Sequence, residues 1–404
     1  MKFVLLIAAE CLAGRTRIKL PVRNSIQLDK ISRQYEALTG GFSNCFLVDL
    51  TYQNVNFSLT GPTISFTPSS GAKTLQATYG DSSYWIGYEA RLSIQIPGTN
   101  VQSTAPIIAM VQQSTNPIFS DGVSSNGLMG IGFGSLASVT NAPLTVMEAF
   151  YTSGAVSKNQ IAIHGCPYSN LNSAYIDFGN TRPYSSCSSI SATFNFPYDS
   201  YYTVDVRGIS IGKSPVTLPS TFQGKSSSYL GGTDWSIFDS CTSLISVPTV
   251  AFNALATAIA DSNGLPSVIQ SSQYLNDWLN GNINIRASSS DFNWGLLPTL
   301  NFTLSTGGSN PTLVNLILGP QQFIQADADG YYSLLVYNAG DQNSVTFGLP
   351  FFSAFHVVAD LSLGQATISL GCSCSYSTDG YPQIVIGNSV ATVPTGSAAW
   401  KSGK

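Results

Sequence analysis

The residue with the clearest potential for chemistry is Asp239, which ends the apolar, β-prone stretch Trp235-Ser236-Ile237-Phe238. The small hydroxyl residues Ser240 and Thr242 follow it, and Leu244-Ile245 then resumes the apolar pattern. A carboxylate held in a turn beside hydroxyl groups can accept and release a proton, so this stretch is a candidate for general acid or base chemistry. In the alternative interpretation, Asp239 only caps a turn.

Other reaction chemistries find less support in the sequence. His164 and His356 are the only histidines, and no Gly-x-Ser-x-Gly elbow accompanies them. His356 lies in a strand pattern, which favours an ordinary core or surface histidine. The glycines of 130–134 superficially resemble a phosphate-binding loop but lack its lysine and its strand–helix context. Zinc binding is a weak alternative, because the sole close cysteine pair is Cys372-Ser373-Cys374. We expect no metal and no cofactor.

Length and composition indicate a secreted protein with two domains. The 404 residues suffice for two cores, since domains of roughly 150 to 200 residues are common. Charged residues make up 9% of the chain, far below the roughly 25% of ordinary soluble proteins. From residue 34 onward ten basic residues face nineteen acidic ones, a net charge of −9. No basic patch remains, which argues against nucleic-acid binding.

The N-terminus predicts export. Residues 1–14 combine Lys2, a short apolar run and a cleavage site near Cys11-Leu12-Ala13, as in a secretory signal peptide. A buried N-terminal strand is the less favoured alternative, because the next twenty residues are polar and basic. No later apolar run approaches the roughly 18 residues of a membrane span. We therefore predict an extracellular or acidic lumenal location and no membrane partner.

Cysteine usage agrees with an oxidising compartment. Removal of the signal peptide takes Cys11 away and leaves six cysteines. An even count in a secreted chain favours disulfides, although sequence does not give their connectivity. Cys166 and Cys187 are the best candidate pair, because they bracket a hairpin-like pattern over 175–180.

The residues after Phe42 predict an all-β fold. Short strand patterns, such as those over 45–52, 55–59 and 63–66, alternate with Gly, Asn, Ser and Pro. Residues 78–88 form a long hairpin pattern, in which a polar turn separates two β-rich arms. Helical spacing of apolar residues is confined to 144–151 and 249–261.

The Asp239 stretch resembles the active-site loop of pepsin-like aspartic proteases (peptidase A1), in which apolar residues precede Asp-Thr/Ser-Gly-Thr/Ser. Cys241 stands where that family has Gly, which puts the tight packing of the loop in doubt. Three further segments resemble the family in the right order: Tyr79-Gly80 the start of the flap, 126–132 the Gly-rich segment of the first lobe, and 347–352 with 357–360 the family's final segments.

The resemblance implies a bilobal acid-protease fold with a few short helices. Its N-terminal β lobe, with the flap, spans 41–197, and its C-terminal β lobe, with the Asp239 loop, spans 198–372. Residues 15–40 resemble a short basic propeptide, although a solvated arm explains them almost equally well. Residues 373–404 form a polar tail with one strand-like piece, 383–386, and no assigned function.

The family's chemistry needs a second carboxylate, which the first lobe lacks. Two alignments of its loop place Leu59 or Thr60 at the aspartate position, and no Asp or Glu occurs between Asp49 and Asp81. Asp49 lies in the preceding strand pattern and Asp81 in the flap hairpin, so neither reaches the symmetric position without a rearranged fold. A dyad that shares one proton is therefore not available.

We predict a monomeric, catalytically inactive homologue that binds a peptide or protein in the interlobe cleft, for a regulatory or decoy role. Tyr79, Gly80, Ser240 and Thr242 are expected to line this cleft beside Asp239. An active aspartic endopeptidase is the first alternative, and a structural secreted glycoprotein is the second.

Two sequons, at Asn56 and Asn301, are candidate glycosylation sites. Unmodified strand residues are the alternative interpretation of both. A glycan at Asn56 would lie close to the degenerate loop, where a working protease would tolerate it poorly.

Overall fold

The structure is a computed structural model of the chain. It describes residues 10–12, 15–19, 51–52, 56–58, 61–63, 74–78, 84–96, 100–113, 130–137, 144–167, 175–179, 190–199, 201–223, 235–240, 242–270, 274–327, 329–340, 343–370 and 379–392. The chain forms two compact units. Unit 1 comprises Met1–Leu28, Phe46–Ile161 and Tyr175–Thr181, and unit 2 comprises Asp29–Cys45, Ala162–Ala174 and Arg182–Lys404.

Unit 1 consists mainly of antiparallel strands. Its elements are β1 (Glu10–Leu12), β2 (Arg15–Lys19), β3 (Thr51–Tyr52), β4 (Asn56–Ser58), β5 (Gly61–Thr63), β6 (Thr74–Thr78), β7 (Tyr84–Gln95), β8 (Gln102–Gln113), a 3-10 turn (Gly134–Ala137), α1 (Val146–Thr152), the start of β9 (Gln160–His164), and β10 (Tyr175–Phe178). The long strand β7 pairs with β3, β6 and β8, and β4 pairs with β5. β10 lies between β2 and β9.

The apolar face of the helix α1 is buried within unit 1. Met147 and Phe150 are fully buried, and the ring of Phe150 meets that of Phe178 edge-on at 6.3 Å. The helix begins one residue after Thr145, because the Thr145 hydroxyl accepts a hydrogen bond from the backbone N–H of Glu148 while the Glu148 carboxylate accepts one from Thr145. This capping box moves the start of the predicted helix 144–151 to Val146.

Unit 2 holds the remaining described elements. They are β11 (Ala192–Asn195), β12 (Tyr202–Ile211), β13 (Ser214–Pro215), β14 (Ser236–Phe238), β15 (Ile245–Val247), α2 (Thr249–Asp261), α3 (Ser267–Gln270), α4 (Leu275–Leu279), β16 (Ile285–Arg286), 3-10 turns at Ser289–Asp291 and Trp294–Leu296, β17 (Leu300–Ser305), β18 (Leu313–Leu318), α5 (Pro320–Phe323), β19 (Ile324–Ala326), β20 (Tyr331–Leu334), β21 (Val336–Asn338), β22 (Thr346–Phe347), α6 (Leu349–Ala354), β23 (His356–Asp360), β24 (Gln365–Ser369), β25 (Gln383–Ile386) and β26 (Ser389–Thr392).

The largest sheet of unit 2 runs in the order β21-β15-β22-β14-β12-β17-β18-β25-β26, and β13 pairs with β12. β23 pairs with β24, and β24 with β11, while β16, β20 and β19 form a small separate sheet. The apolar side chains of alternate residues, such as Leu300, Phe302 and Leu304 of β17, face the core. This period of two is the pattern of strands with one buried face.

The C-terminal hairpin formed by β25 and β26 is an integral part of unit 2. β25 occupies the predicted 383–386 and pairs antiparallel with β18, and β26, which the sequence did not indicate, pairs with β25. Ile384 is 0% exposed and Ala391 is 3% exposed. The segment expected to be a polar tail therefore contributes side chains to the core.

The all-β prediction is confirmed, since strands dominate both units and the helices are short. The predicted hairpin is present as β6 and β7, whose ends pair at Thr78 and Tyr84. The predicted helix 249–261 is α2, with the same bounds. The division into signal peptide, basic segment, lobes and tail stays a prediction.

The hairpin can be tested by paired truncations of its side chains. Ile384→Ala should lower the free energy of unfolding of unit 2 by about 2–4 kcal/mol, because it removes a fully buried side chain and leaves a cavity. Val390→Ala, on a side chain that is 53% exposed, should change it by less than about 0.5 kcal/mol. Urea unfolding followed by tryptophan fluorescence measures both. Equal effects of the two substitutions would show that the hairpin does not pack on the core.

Candidate active site

The strand β14 carries Asp239 out of the middle of the large sheet of unit 2. β14 pairs antiparallel with β12 on one side and parallel with β22 on the other. The N–H of Asp239 donates to the carbonyl of Phe347 at 3.0 Å, which continues the parallel ladder by one residue beyond the strand. The backbone of Asp239 is therefore held by the sheet, although its side chain is only half-buried.

The two strands that flank the Asp239 loop do not pair with each other. β22 lies between them, parallel to β14 and antiparallel to β15, with Phe347 opposite both Phe238 and Ile245. The chain that leaves β22 then passes the loop at Gly348. The inserted strand separates β14 from β15 and leaves residues 239–244 to span the gap.

Gly348 is required by this crossing. A Cβ on Gly348 would lie 2.1 Å from the carbonyl oxygen of Leu244 and 2.2 Å from that of Thr242. Backbone atoms at such a distance cannot move aside without disturbing the loop. The next residue, Leu349, donates its N–H to the Thr242 carbonyl at 2.8 Å. The turn after Asp239 is thus fixed by a direct backbone contact with the start of α6.

The carboxylate of Asp239 is oriented by its own loop. The Thr242 hydroxyl donates to Asp239 Oδ2 at 2.6 Å, and the Thr242 N–H donates to the Asp239 carbonyl at 3.2 Å. A hydrogen bond to an ionised carboxylate is stronger than one between neutral groups. The loop can therefore present a carboxylate in a defined orientation, as acid–base chemistry or ligand binding requires.

An aromatic layer lies under the loop. The ring of Phe238 packs on Phe347 at 5.3 Å and on Phe351 at 5.2 Å, and Phe302 meets Phe347 edge-on at 4.9 Å. On the β12 side, Tyr202 pairs with Phe238 and stacks on Phe196. Burial raises the pKa of the Tyr202 phenol far above its usual range. The carboxylate thus stands on a rigid apolar base that stays uncharged.

The structure describes only part of the predicted site. Asp239, Ser240 and Thr242 lie together in the loop, and Ser240 is half-buried. The other cleft and loop residues, Leu59, Thr60, Tyr79, Gly80 and Cys241, lie outside the described residues.

The predicted covalent modifications are also partly described. Cys166 is disulfide-bonded, but its predicted partner Cys187 lies outside the described residues. Asn56 belongs to β4. Asn301 is in β17, where its amide donates to Asn315 Oδ1 at 3.3 Å while its own Oδ1 is buried. A glycan on Asn301 would displace this hydrogen bond.

Two residues to which the sequence gave no role shape the site, Gly348 and Gln223. Gly348 follows the strand Thr346–Phe347 and lies in the segment 347–352 that resembles the family, which is a signal that could have indicated it. No local pattern points to Gln223, because the groups that its side-chain amide bonds lie 13 to 18 residues away in the chain.

Within the described part of the chain, no group of His, Cys, Asp and Glu side chains has the arrangement of a metal site. His356 is buried in β23, as expected of a core histidine.

The helices of the described ranges all fall short of the length and apolarity of a membrane span.

The family model for eukaryotic aspartyl proteases matches residues 49–369, which is most of the chain. Aspartic proteinase nepenthesin-2 from Nepenthes gracilis is 29% identical over 259 residues, 64% of this chain and 52% of that relative. The chain thus spans about half the length of this curated relative.

The backbone crossing can be tested by adding a single methyl group. Gly348→Ala should lower the free energy of unfolding of unit 2 by about 3 kcal/mol or more, since its Cβ would overlap two carbonyl oxygens. Gly295→Ala is the matched control, because its Cβ would meet only the Asn293 side chain at 3.9 Å. Thermal unfolding of the two variants decides the question. An unchanged midpoint for Gly348→Ala would contradict the close approach.

Proposed function

Because this chain belongs to the eukaryotic aspartyl protease family, we propose that it is a peptide-binding homologue that has lost two-carboxylate hydrolysis. Members of the family bind peptide substrates in a cleft between their lobes. The proposal keeps this binding role and assigns Asp239 to it. A regulatory or decoy role for a secreted protein follows from binding without cleavage.

The observation that carries the proposal is the missing acid of the first lobe. Between Asp49 and Asp81 the sequence contains no Asp or Glu, whereas the family's first active-site loop would fall within this interval. Leu59 or Thr60 takes the aspartate position in either alignment. Neither side chain can hold or transfer a proton as a carboxyl group does.

Hydrolysis by this family depends on both carboxylates at once. One accepts a proton from the attacking water, and the other donates a hydrogen bond to the peptide carbonyl and later a proton. A single carboxylate cannot occupy the ionised and the protonated state together. Loss of one member of a coupled catalytic set typically lowers the rate by about 10⁴-fold or more.

A single oriented carboxylate still suffices for recognition. Asp239 accepts the Thr242 hydroxyl on Oδ2, and its N–H donates to the carbonyl of Phe347, so contacts within its own unit help to orient it. A backbone N–H or a cationic group of a peptide is the natural donor to such a carboxylate. We propose that Tyr79, Gly80, Ser240 and Thr242 line the same binding region.

An active aspartic endopeptidase is the second candidate function. It is favoured by the described contacts of the Asp239 loop, in which Thr242 donates to the carboxylate and Gly348 passes close to the loop backbone. An acid from outside the interval, with Asp81 the nearest in the chain on its C-terminal side, would have to replace the missing group. A structural secreted glycoprotein, with glycans at Asn56 or Asn301, is the third.

Family members are typically secreted or lumenal, and we propose the same for this chain. The residues 1–14 would then act as a signal peptide and 15–40 as a basic propeptide-like segment. The disulfide of Cys166 fits an oxidising compartment, and Cys187 is its proposed partner. We propose a monomer whose partners are peptides or proteins.

The proposal predicts binding without cleavage. The purified protein, incubated with unfolded protein at pH 3–7, should release no fragments whose formation a pepstatin-type inhibitor blocks. Immobilised peptides from the same unfolded protein should nevertheless retain it. Asp239→Asn should weaken this retention about tenfold or more, because a neutral amide oxygen replaces the charged acceptor. Peptide arrays and gel analysis of the digest measure the two outcomes.

Asp261→Asn is the matched control, since Asp261 is an exposed carboxylate at the end of α2 in the same unit. It should leave peptide retention unchanged. Inhibitor-sensitive cleavage that disappears in Asp239→Asn would overturn the proposal in favour of the endopeptidase. Absence of both cleavage and peptide retention would favour the structural glycoprotein.

A further inference from the structure

Gln223 is a buried polar residue in a backbone conformation that ordinary residues seldom adopt. Its φ is 50°, in the left-handed region, and its exposed fraction is 6%. A long polar side chain is rarely buried unless its hydrogen-bonding groups are satisfied. Its position after the short strand β13 gives no hint of a role, so the contacts of its amide are informative.

The side-chain amide of Gln223 makes hydrogen bonds through both of its polar atoms. Oε1 accepts from the N–H of Val206 at 3.1 Å and from the N–H of Ser236 at 3.2 Å. Nε2 donates to the carbonyl of Val206 at 2.8 Å and to Asp205 Oδ1 at 3.3 Å. All the donors and acceptors that one amide offers are thus used.

These bonds continue a β-ladder beyond the first residue of β14. β12 pairs with β14 only from Tyr202 to Val204, and beyond this point it has no partner residue on β14. At Val206 the amide of Gln223 bonds both the N–H and the carbonyl, as the peptide group of a neighbouring strand would. The same amide accepts the N–H of Ser236, the first residue of β14.

Ser236 is consequently fixed from two directions. Its N–H is held by Gln223, and its hydroxyl accepts the N–H of Val345 at 2.9 Å, just before β22. The backbone of Gln223 also donates to the carbonyl of Asn343 at 2.6 Å. One residue therefore joins β12, the start of β14 and the approach to β22, the three strands whose alignment places Asp239.

Charge at this junction is balanced by a neighbouring ion pair. Asp205 is largely buried and accepts from Arg207 Nε at 2.8 Å on Oδ2, while its Oδ1 accepts from Gln223. Asp205 and Arg207 are the charged side chains with described contacts at the junction. A group at position 223 that could not donate would face the Asp205 carboxylate unfavourably.

We propose that Gln223 is a positioning residue, whose side-chain amide acts as a substitute peptide group and sets the register in which β14 presents Asp239. The link to ligand binding rests on the proposed function of Asp239. The positioning itself does not, because it concerns the backbone of β14 in the free protein.

The test compares Gln223→Met with Gln223→Glu by amide hydrogen exchange, expressed as protection factors. Gln223→Met removes all the side-chain bonds at similar length, so protection of the amides of Ser236, Ile237 and Asp239 should fall about ten- to hundredfold. The amides of α2 should keep their protection. A uniform loss that includes α2 would mean a general stabilising role and would overturn the proposal.

Gln223→Glu supplies a signature that a space-filling role would not give. At pH 7 its carboxylate can accept but not donate, and it lies beside Asp205, so protection of 236–239 should fall as in Gln223→Met. At about pH 4, near the usual pKa of a glutamate, protonation should restore a donor and recover protection at least fivefold. Equal protection at both pH values would contradict the proposal.

If Gln223→Glu does not fold at pH 7, the double variant with Asp205→Asn is used instead. The neutral neighbour should restore folding, and protection of 236–239 should then depend less on pH. Retention of peptides by each variant is measured in parallel. If the wild type retains no peptide, the proposed function fails while the exchange result still decides the role of Gln223.

Discussion

The second unit depends on one close approach of two backbone segments. Gly348 passes the Asp239 loop so closely that a Cβ would lie 2.1 Å from the carbonyl of Leu244. This contact is possible because β22 separates β14 from β15. The alignment of β14, β15 and β22 requires this contact between Gly348 and the loop. That alignment determines where the Asp239 carboxylate leaves the sheet. Because Gly348 has no side chain, the two segments can approach closely enough for the topology on which the site depends.

Apolar packing and hydrogen bonds together stabilise the strands around the Asp239 loop. Phe238, Phe347 and Phe351 form a continuous aromatic layer under the loop, with ring centroids 4.7 to 5.3 Å apart. The hydrophobic effect that drives this packing is not directional and does not by itself orient the carboxylate. Hydrogen bonds from Thr242 and Gln223 add the direction that packing lacks. The carboxylate therefore stands on a rigid support.

The described contacts of the Asp239 loop are made within unit 2, by backbone groups, aromatic rings and the Thr242 hydroxyl. The fold and the family's reaction rest on different interactions, so the fold by itself does not decide the activity. The hairpin β25–β26 lies beyond the family match, which ends at residue 369, yet it adds two strands to the same sheet.

Local pattern was sufficient for several elements and for the lack of an acid in the first-lobe loop. The helix Thr249–Asp261 has its predicted bounds, since its apolar residues follow one helical period, and the lack of an acid between Asp49 and Asp81 is a property of the sequence alone. Which strand separates β14 from β15, and which amide closes the ladder at Ser236, were decided only by the tertiary structure. Those contacts join residues far apart in the chain, and packing of the whole unit selects them, whereas periodicity reports only on neighbours.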